Sequence, residues 1–201
     1  MKLWSLVFVL ALTGCATAPP ASAPAFPGMV RISEWGGTRS NTESGQRQRI
    51  ERITVHHSGA AFDPARSTDE YLRNLQRWSR QEKGWGDLPY HFLIDRSGRT
   101  YEGRDLALVG DTNTGYSTAG HALVAVLGNF DEEEPTAAQL QALVDLMAWL
   151  VNSYEIPLER IAGHSNFSSI TVCPGKHLND LLSNGWLKKA VAEKARQSAK
   201  N

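Results

Sequence analysis

Two imidazoles and one thiolate can hold a zinc ion and leave its fourth tetrahedral position open to water, as expected of catalytic rather than structural zinc. This chain offers such a set in His56, His164 and Cys173. Its six histidines lie at 56, 57, 91, 121, 164 and 177. Strand periodicity separates the first two: if Ile53 and Val55 point to one face, Thr54 and His56 point to the other, and His57 follows the apolar pair. His56 is then the one that faces a polar cleft. His164 lies in GHSNFSSITVCPG at 163–175, a breaker-rich loop that can bring it and Cys173, nine residues on, to one point. A histidine with a lone cysteine is also what packing and coincidence produce, so on composition both readings stand. His57 and His91 read as packed residues or neighbours of a ligand, Glu102 and Arg104 as structural residues, and His121 and His177 carry no argument.

The elements that must position these groups follow from pattern. IERITV at 50–55 reads as a strand that ends in HHSG. Ser67-Thr68-Asp69-Glu70 reads as a capping box, opening a helix whose Tyr71, Leu72, Leu75 and Trp78 share one face. The loop RQEKGWGDLP at 80–89 precedes a hairpin formed by YHFLID at 90–95, a turn at Arg96-Ser97-Gly98 and RTYE at 99–102. Residues 103–120 show little periodicity. Leu123 to Leu127 is a continuous apolar run, the mark of a strand buried on both faces. A second helix begins at Thr136 with Leu140, Leu143, Val144, Met147, Leu150 and Val151 inward, and a last one spans about 186–196 with Lys188, Lys189, Lys194 and Arg196 on a solvated face. Strands interleaved with amphipathic helices predict an α/β fold: one domain with a mixed central β-sheet flanked by helices.

The 201 residues carry 21 Lys plus Arg against 21 Asp plus Glu, so there is no basic footprint for nucleic acid, and 41% hydrophobic residues exclude a disordered chain. The first fourteen residues contain Lys2 and an apolar stretch from Leu3 to Leu12, too short to span a bilayer. Leu12-Thr13-Gly14-Cys15 resembles a bacterial lipoprotein signal, which implies cleavage before Cys15 and lipids on its sulfur. ATAPPASAPAFPG at 16–28 has four prolines and five alanines and reads as a semi-extended tether. The expected division is a signal at 1–14, lipidated Cys15 and tether at 15–29, and a zinc domain at 30–201. Ala16 after the cysteine resembles outer-membrane sorting, so the expected location is the bacterial envelope, lipid-anchored in the outer membrane and facing the periplasm.

ITVHHS at 53–58, PYHFLIDRSGRTYEGRD at 89–105, GH at 163–164 and TVCPG at 171–175 occur in the order and approximate spacing of the type 2 N-acetylmuramoyl-L-alanine amidases, the family of T7 lysozyme and the peptidoglycan recognition proteins. The chain resembles that family over roughly residues 30 to 180. The resemblance implies one zinc ion held by His56, His164 and Cys173, with Tyr90 close to the metal and Thr171 at a position where the family has lysine or threonine. It implies hydrolysis of the amide joining N-acetylmuramic acid to the L-alanine of the stem peptide, with peptidoglycan or muropeptides as partners; the chain is expected to be a monomer. Tyr90 and Thr171 would be catalytic, in roles the sequence does not divide between them. The chain departs from the family at Val109-Gly110-Asp111-Thr112, where recognition proteins commonly carry a histidine-threonine pair. HALVAVLGNF at 121–130 also lacks the acidic residue of the cytoplasmic anhydro-muramyl amidases, so no glutamate base is expected there. Trp78, Trp85, Trp149 and Trp186 read mostly as core, with Trp85, in a glycine-flanked loop, also placed to line a sugar groove. A peptidoglycan-binding module without activity and a zinc peptidase acting on the stem peptide are the competing functions.

Overall fold

The computed structural model describes residues 25–39, 45–63 and 65–200, and Cys15 with the first part of the tether lies outside that set. Five strands form one sheet in the order β3-β2-β4-β1-β5. These are β1 (Arg52–His57), β2 (Phe92–Ile94), β3 (Thr100–Glu102), β4 (His121–Val126) and β5 (Ile161–Gly163). The sheet is mixed, as expected: β2 and β3 form the antiparallel hairpin, and β2 with β4, β4 with β1, and β1 with β5 are parallel. Gly98 takes the positive φ of 83° that the turn wants. Among the described residues four α-helices accompany the sheet: α1 (Thr68–Gln81), α2 (Ala137–Tyr154), α3 (Lys176–Ser183) and α4 (Trp186–Ser198).

The two faces of the sheet bury different sets. Ile53, Val55, Phe92, Ile94, Val124 and Val126 pack with side chains of α2, α3 and α4. Leu93, Tyr101, Ala125 and Leu127 pack on the other side with Leu72 of α1 and with Trp35. All six residues of β4 are buried, because that strand lies in the middle of the sheet with helices over both faces. Phe26, near the start of the described chain, stacks edge-on against Trp149 of α2 with centroids 5.7 Å apart, so it belongs to the α2 side.

Capping differs between the helices. Thr136 forms the reciprocal capping box of α2 with Gln139, each side chain bonding the other's backbone N–H. The expected box at α1 does not form. Ser67 is the N-cap but its side chain makes no cap bond, and Asp69 and Glu70 in the first turn complement the helix dipole instead. Two elements were not legible, β5 and α3. Both are short, and α3 buries only Leu178 and Leu182. On α4, Lys194 is not simply solvated but pairs with Asp145 of α2 at 2.8 Å.

The aperiodic stretch 103–120 is pinned by side chains. Buried Arg104 donates to the carbonyls of Leu88 (2.7 Å), Val109 (2.6 Å) and Asp87 (2.9 Å) and pairs with Asp111. Buried His91 fixes the same stretch to β4, with Nδ1 accepting from the Leu123 N–H at 2.9 Å and Nε2 donating to the Leu108 carbonyl at 2.9 Å. Both ring nitrogens are thus used by the neutral imidazole. Burial pushes its pKa down to about 4, against a smaller upward pull from the Leu108 carbonyl. His121, bonded to Thr54 at 2.8 Å, is likewise pushed down to about 4 by burial and then by Arg52. Lowered histidine pKa values mean that the unfolded chain takes up these protons first, so stability held above pH 6.5 is lost as pH falls toward about 4. Urea unfolding at a series of pH values should show this slope, and His91→Asn should flatten it while lowering stability at pH 7.

Candidate metal centre

His56 is the fifth residue of β1 and sits opposite Ala125 of β4, on the α1 side of the sheet. β5 pairs with β1 so that Val55 faces Gly163, and the next residue of that chain is His164. Adjacent parallel strands therefore deliver both imidazoles to the same sheet end, with ring centroids 4.6 Å apart. Cys173 returns on a tight loop. Its carbonyl accepts from the Ser165 N–H at 2.7 Å, its N–H donates to Thr171 Oγ1 at 3.2 Å, and its sulfur accepts from the His57 N–H at 3.3 Å. The donor atoms of His56, His164 and Cys173 all lie within 4.8 Å of one another, and all three residues are buried.

This set fits a zinc ion. Cys173 Sγ and His56 Nδ1 are 3.6 Å apart, and two donors at ordinary Zn–S and Zn–N lengths around one tetrahedral centre would be separated by about 3.6 Å. The imidazoles are ready as lone-pair donors. Burial, then the neighbouring His164, hold His56 well below the ordinary histidine range, and burial, then His57, push His164 down to about 4. The thiol is the group that resists, since burial pushes Cys173 up to about 12 despite the opposing His57 N–H. A cation bound here would release the Cys173 proton.

The centre lines an open groove of about 430 Å³, and Tyr90 and Thr171 line it too. The Tyr90 ring lies 5.2 Å from that of His56, and burial holds its phenol far above the ordinary range, so it stays a hydrogen-bond donor. Thr171 has a conformational task as well, since its oxygen caps the turn that presents Cys173. Trp85 lies on the groove wall, as its glycine-flanked position predicted, but so does Trp78, which is 40% exposed rather than core. The two indoles meet edge-to-face at 5.8 Å with Lys83 Nζ 5.1 and 5.8 Å from their centroids. Trp186, 44% exposed, is not core either. His57 is packed, its ring 6.3 Å from that of Phe130 and its Nδ1 accepting from the Phe130 N–H at 3.4 Å. Thr112, which the sequence marks only as part of the departure at 109–112, and Thr114, which it does not single out, both face the groove. Thr114 Oγ1 lies 2.6 Å from His164 Nε2. No periodicity marks their segment. A larger groove of about 630 Å³ runs along β5, and none of the three clustered donors lines it.

Comparison with known proteins converges on one family. The N-acetylmuramoyl-L-alanine amidase pattern matches residues 46–176. Peptidoglycan recognition protein 1 of Mus musculus is 28% identical over 181 residues, covering 87% of this chain and 92% of that protein. The structure of the N-acetylmuramoyl-L-alanine amidase LysC from Clostridium intestinale superposes with a TM-score of 0.60 at 26% identity, covering 75% of this chain and 91% of the other. Peptidoglycan recognition protein LE in complex with tracheal cytotoxin, a monomeric diaminopimelic acid-type peptidoglycan, gives 0.69 at 25% identity, covering 78% and 93%.

The loop carrying Cys173 depends on Gly175. Its φ of 87° and ψ of 159° lie in a region open in practice to glycine alone. A Cβ there would stand 2.5 Å from the Phe130 carbonyl carbon and 2.8 Å from the Asp131 nitrogen. Gly175→Ala should cost about 1–3 kcal/mol in urea denaturation and weaken metal uptake in a zinc titration, as the Cys173 turn moves off its partners.

Proposed function

The chain belongs to the N-acetylmuramoyl-L-alanine amidase family, and on that premise we propose that it is a zinc-dependent hydrolase of the amide between N-acetylmuramic acid and the L-alanine of the peptidoglycan stem peptide. The observation that carries this reading is the buried His56, His164 and Cys173 cluster with Tyr90 beside it, in a groove open to solvent. The three clustered residues would hold the ion. Bound there, zinc supplies a Lewis acid that acidifies water and polarises a carbonyl oxygen.

The chain's own groups do the rest. Tyr90 stays protonated because its phenol is desolvated, so it donates a hydrogen bond to the oxygen on which negative charge builds as the carbonyl is attacked. Thr171 accepts from the Cys173 N–H and keeps its own O–H for the attacking water or the same oxygen. Trp78 and Trp85 offer apolar faces to the substrate along one wall.

A second reading, binding of peptidoglycan without cleavage, has the recognition-protein relatives in its favour. Sacculi digested by the protein separate the readings when the fragments are weighed. Release of free stem peptide with an L-alanine amino terminus is expected; cuts inside the stem would make the protein a peptidase, and binding with no release would make it a recognition module. Chelation should abolish turnover and added zinc restore it, with the fold intact, because a domain with its own core does not need the metal to fold. Tyr90→Phe should keep zinc and muropeptide binding while losing about a hundredfold or more in kcat, the usual effect of deleting an oxyanion donor.

We also propose that the protein is lipid-anchored through Cys15 in the outer membrane, facing the periplasm. Supporting this, Phe26 joins the domain on the α2 side, away from the groove. Cys15→Ala should move the protein from the membrane fraction to the soluble one under high salt, and retention in the membrane would defeat the idea.

A further inference from the structure

We infer that Thr114, backed by Thr112, is a positioning residue that orients the metal ligand His164 through its outer ring nitrogen. The inference rests on the zinc reading above but concerns a segment that neither the sequence pattern nor that reading assigns. His164 Nε2 lies 2.6 Å from Thr114 Oγ1 and 3.5 Å from Thr112 Oγ1. With Nε2 engaged there, Nδ1 is the nitrogen left for an ion.

The directions of the hydrogen bonds agree with that assignment. An imidazole that gives its Nδ1 lone pair to a metal carries its proton on Nε2 and needs an acceptor for it. Thr114 Oγ1 is that acceptor. The Thr114 hydroxyl proton then goes to Thr112 Oγ1 at 3.0 Å, which also accepts the Thr114 N–H at 3.2 Å. The nearer oxygen takes the imidazole proton, and the chain from His164 runs through Thr114 to Thr112.

The threonines can act this way because their segment is held from several sides. Arg104 ties Val109 and Asp111 to Asp87 and Leu88. Thr118 Oγ1 donates to the Gly110 carbonyl at 2.6 Å, and the Asp111 N–H donates to the Pro89 carbonyl at 3.3 Å. Beyond the pair, the Tyr116 N–H donates to the Thr114 carbonyl at 3.0 Å, and the Tyr116 ring packs 5.1 Å from that of His164. The imidazole is therefore held between the tilted Tyr116 ring and the Thr114 hydroxyl at its edge.

The test is zinc affinity of the full chain in detergent, measured by competition with a chromophoric chelator. Loss of a hydrogen-bond partner of this kind weakens metal binding by about 10- to 100-fold, so Thr114→Val should show a loss in that range and Thr112→Val/Thr114→Val a larger one. Thr114→Ser, which keeps the hydroxyl, should stay near wild type, and the urea midpoint of the metal-free Thr114→Val protein should not move. In the zinc-loaded wild type, nitrogen NMR of His164 should show the proton on Nε2. Wild-type affinity in Thr114→Val, or a proton on Nδ1, would overturn the assignment while leaving the zinc reading in place. A wild-type chain that takes up no zinc would overturn both.

Discussion

The register of β5 against β1 is the constraint on which the site depends. Because Val55 faces Gly163 across a parallel ladder, the residues that follow them, His56 and His164, must leave the sheet side by side. A slip of one residue would turn His56 into the apolar layer and put His57 in its place. What prevents the slip is the buried face itself: Ile53 and Val55 interleave with Val124 and Val126 under α2, so the apolar pattern that builds the core also aims the imidazole. The juxtaposition of the two imidazoles is a by-product of sheet packing and forms with the domain itself.

The same burial leaves the centre with an unresolved electrostatic demand. Desolvation keeps both imidazoles neutral, which suits a ligand, and keeps the thiol protonated, which does not. Among the described residues, the backbone help the sulfur receives is the His57 N–H. His56 Nε2 is buried without a hydrogen-bond partner among the described residues. A cation held by these three donors would have to be strong enough to ionise the thiol, a description that zinc meets and magnesium or calcium do not.

The legible parts of this protein were those governed by period. Alternation along β1 distinguished His56 from His57: the structure puts the first in the donor cluster, while the second, though it also borders the groove, packs on Phe130. The hairpin, the buried β4 and the α2 capping box were equally readable, since each is decided by residues close in sequence. The capping signature at Ser67 misled because a box needs the side chain to turn inward, and Ser67 does not make that bond. The contact of Thr112 and Thr114 with His164 was illegible for the opposite reason. Their segment has no period, and its shape is set by Arg104, His91 and Gln48, which lie outside or at the edge of it. Trp78 shows a third case: a residue on the apolar stripe of α1 reads as core, yet the stripe runs past the end of the core and its last indole faces the groove instead.

The two layers of helices divide the labour of the domain. On the α2 side, α2 and α4 cover the sheet with aliphatic side chains, and Phe26 adds an aromatic contact to Trp149 where the described chain begins. On the α1 side the cover is incomplete, and the gap between α1, the pinned segment 103–120 and the Cys173 loop is the groove. A chain that is reached from one layer and works on the other can be tied down without obstructing its own site. Under the function and anchoring proposed above, an attachment on the groove side would instead set the anchor and the substrate in competition for the same approach.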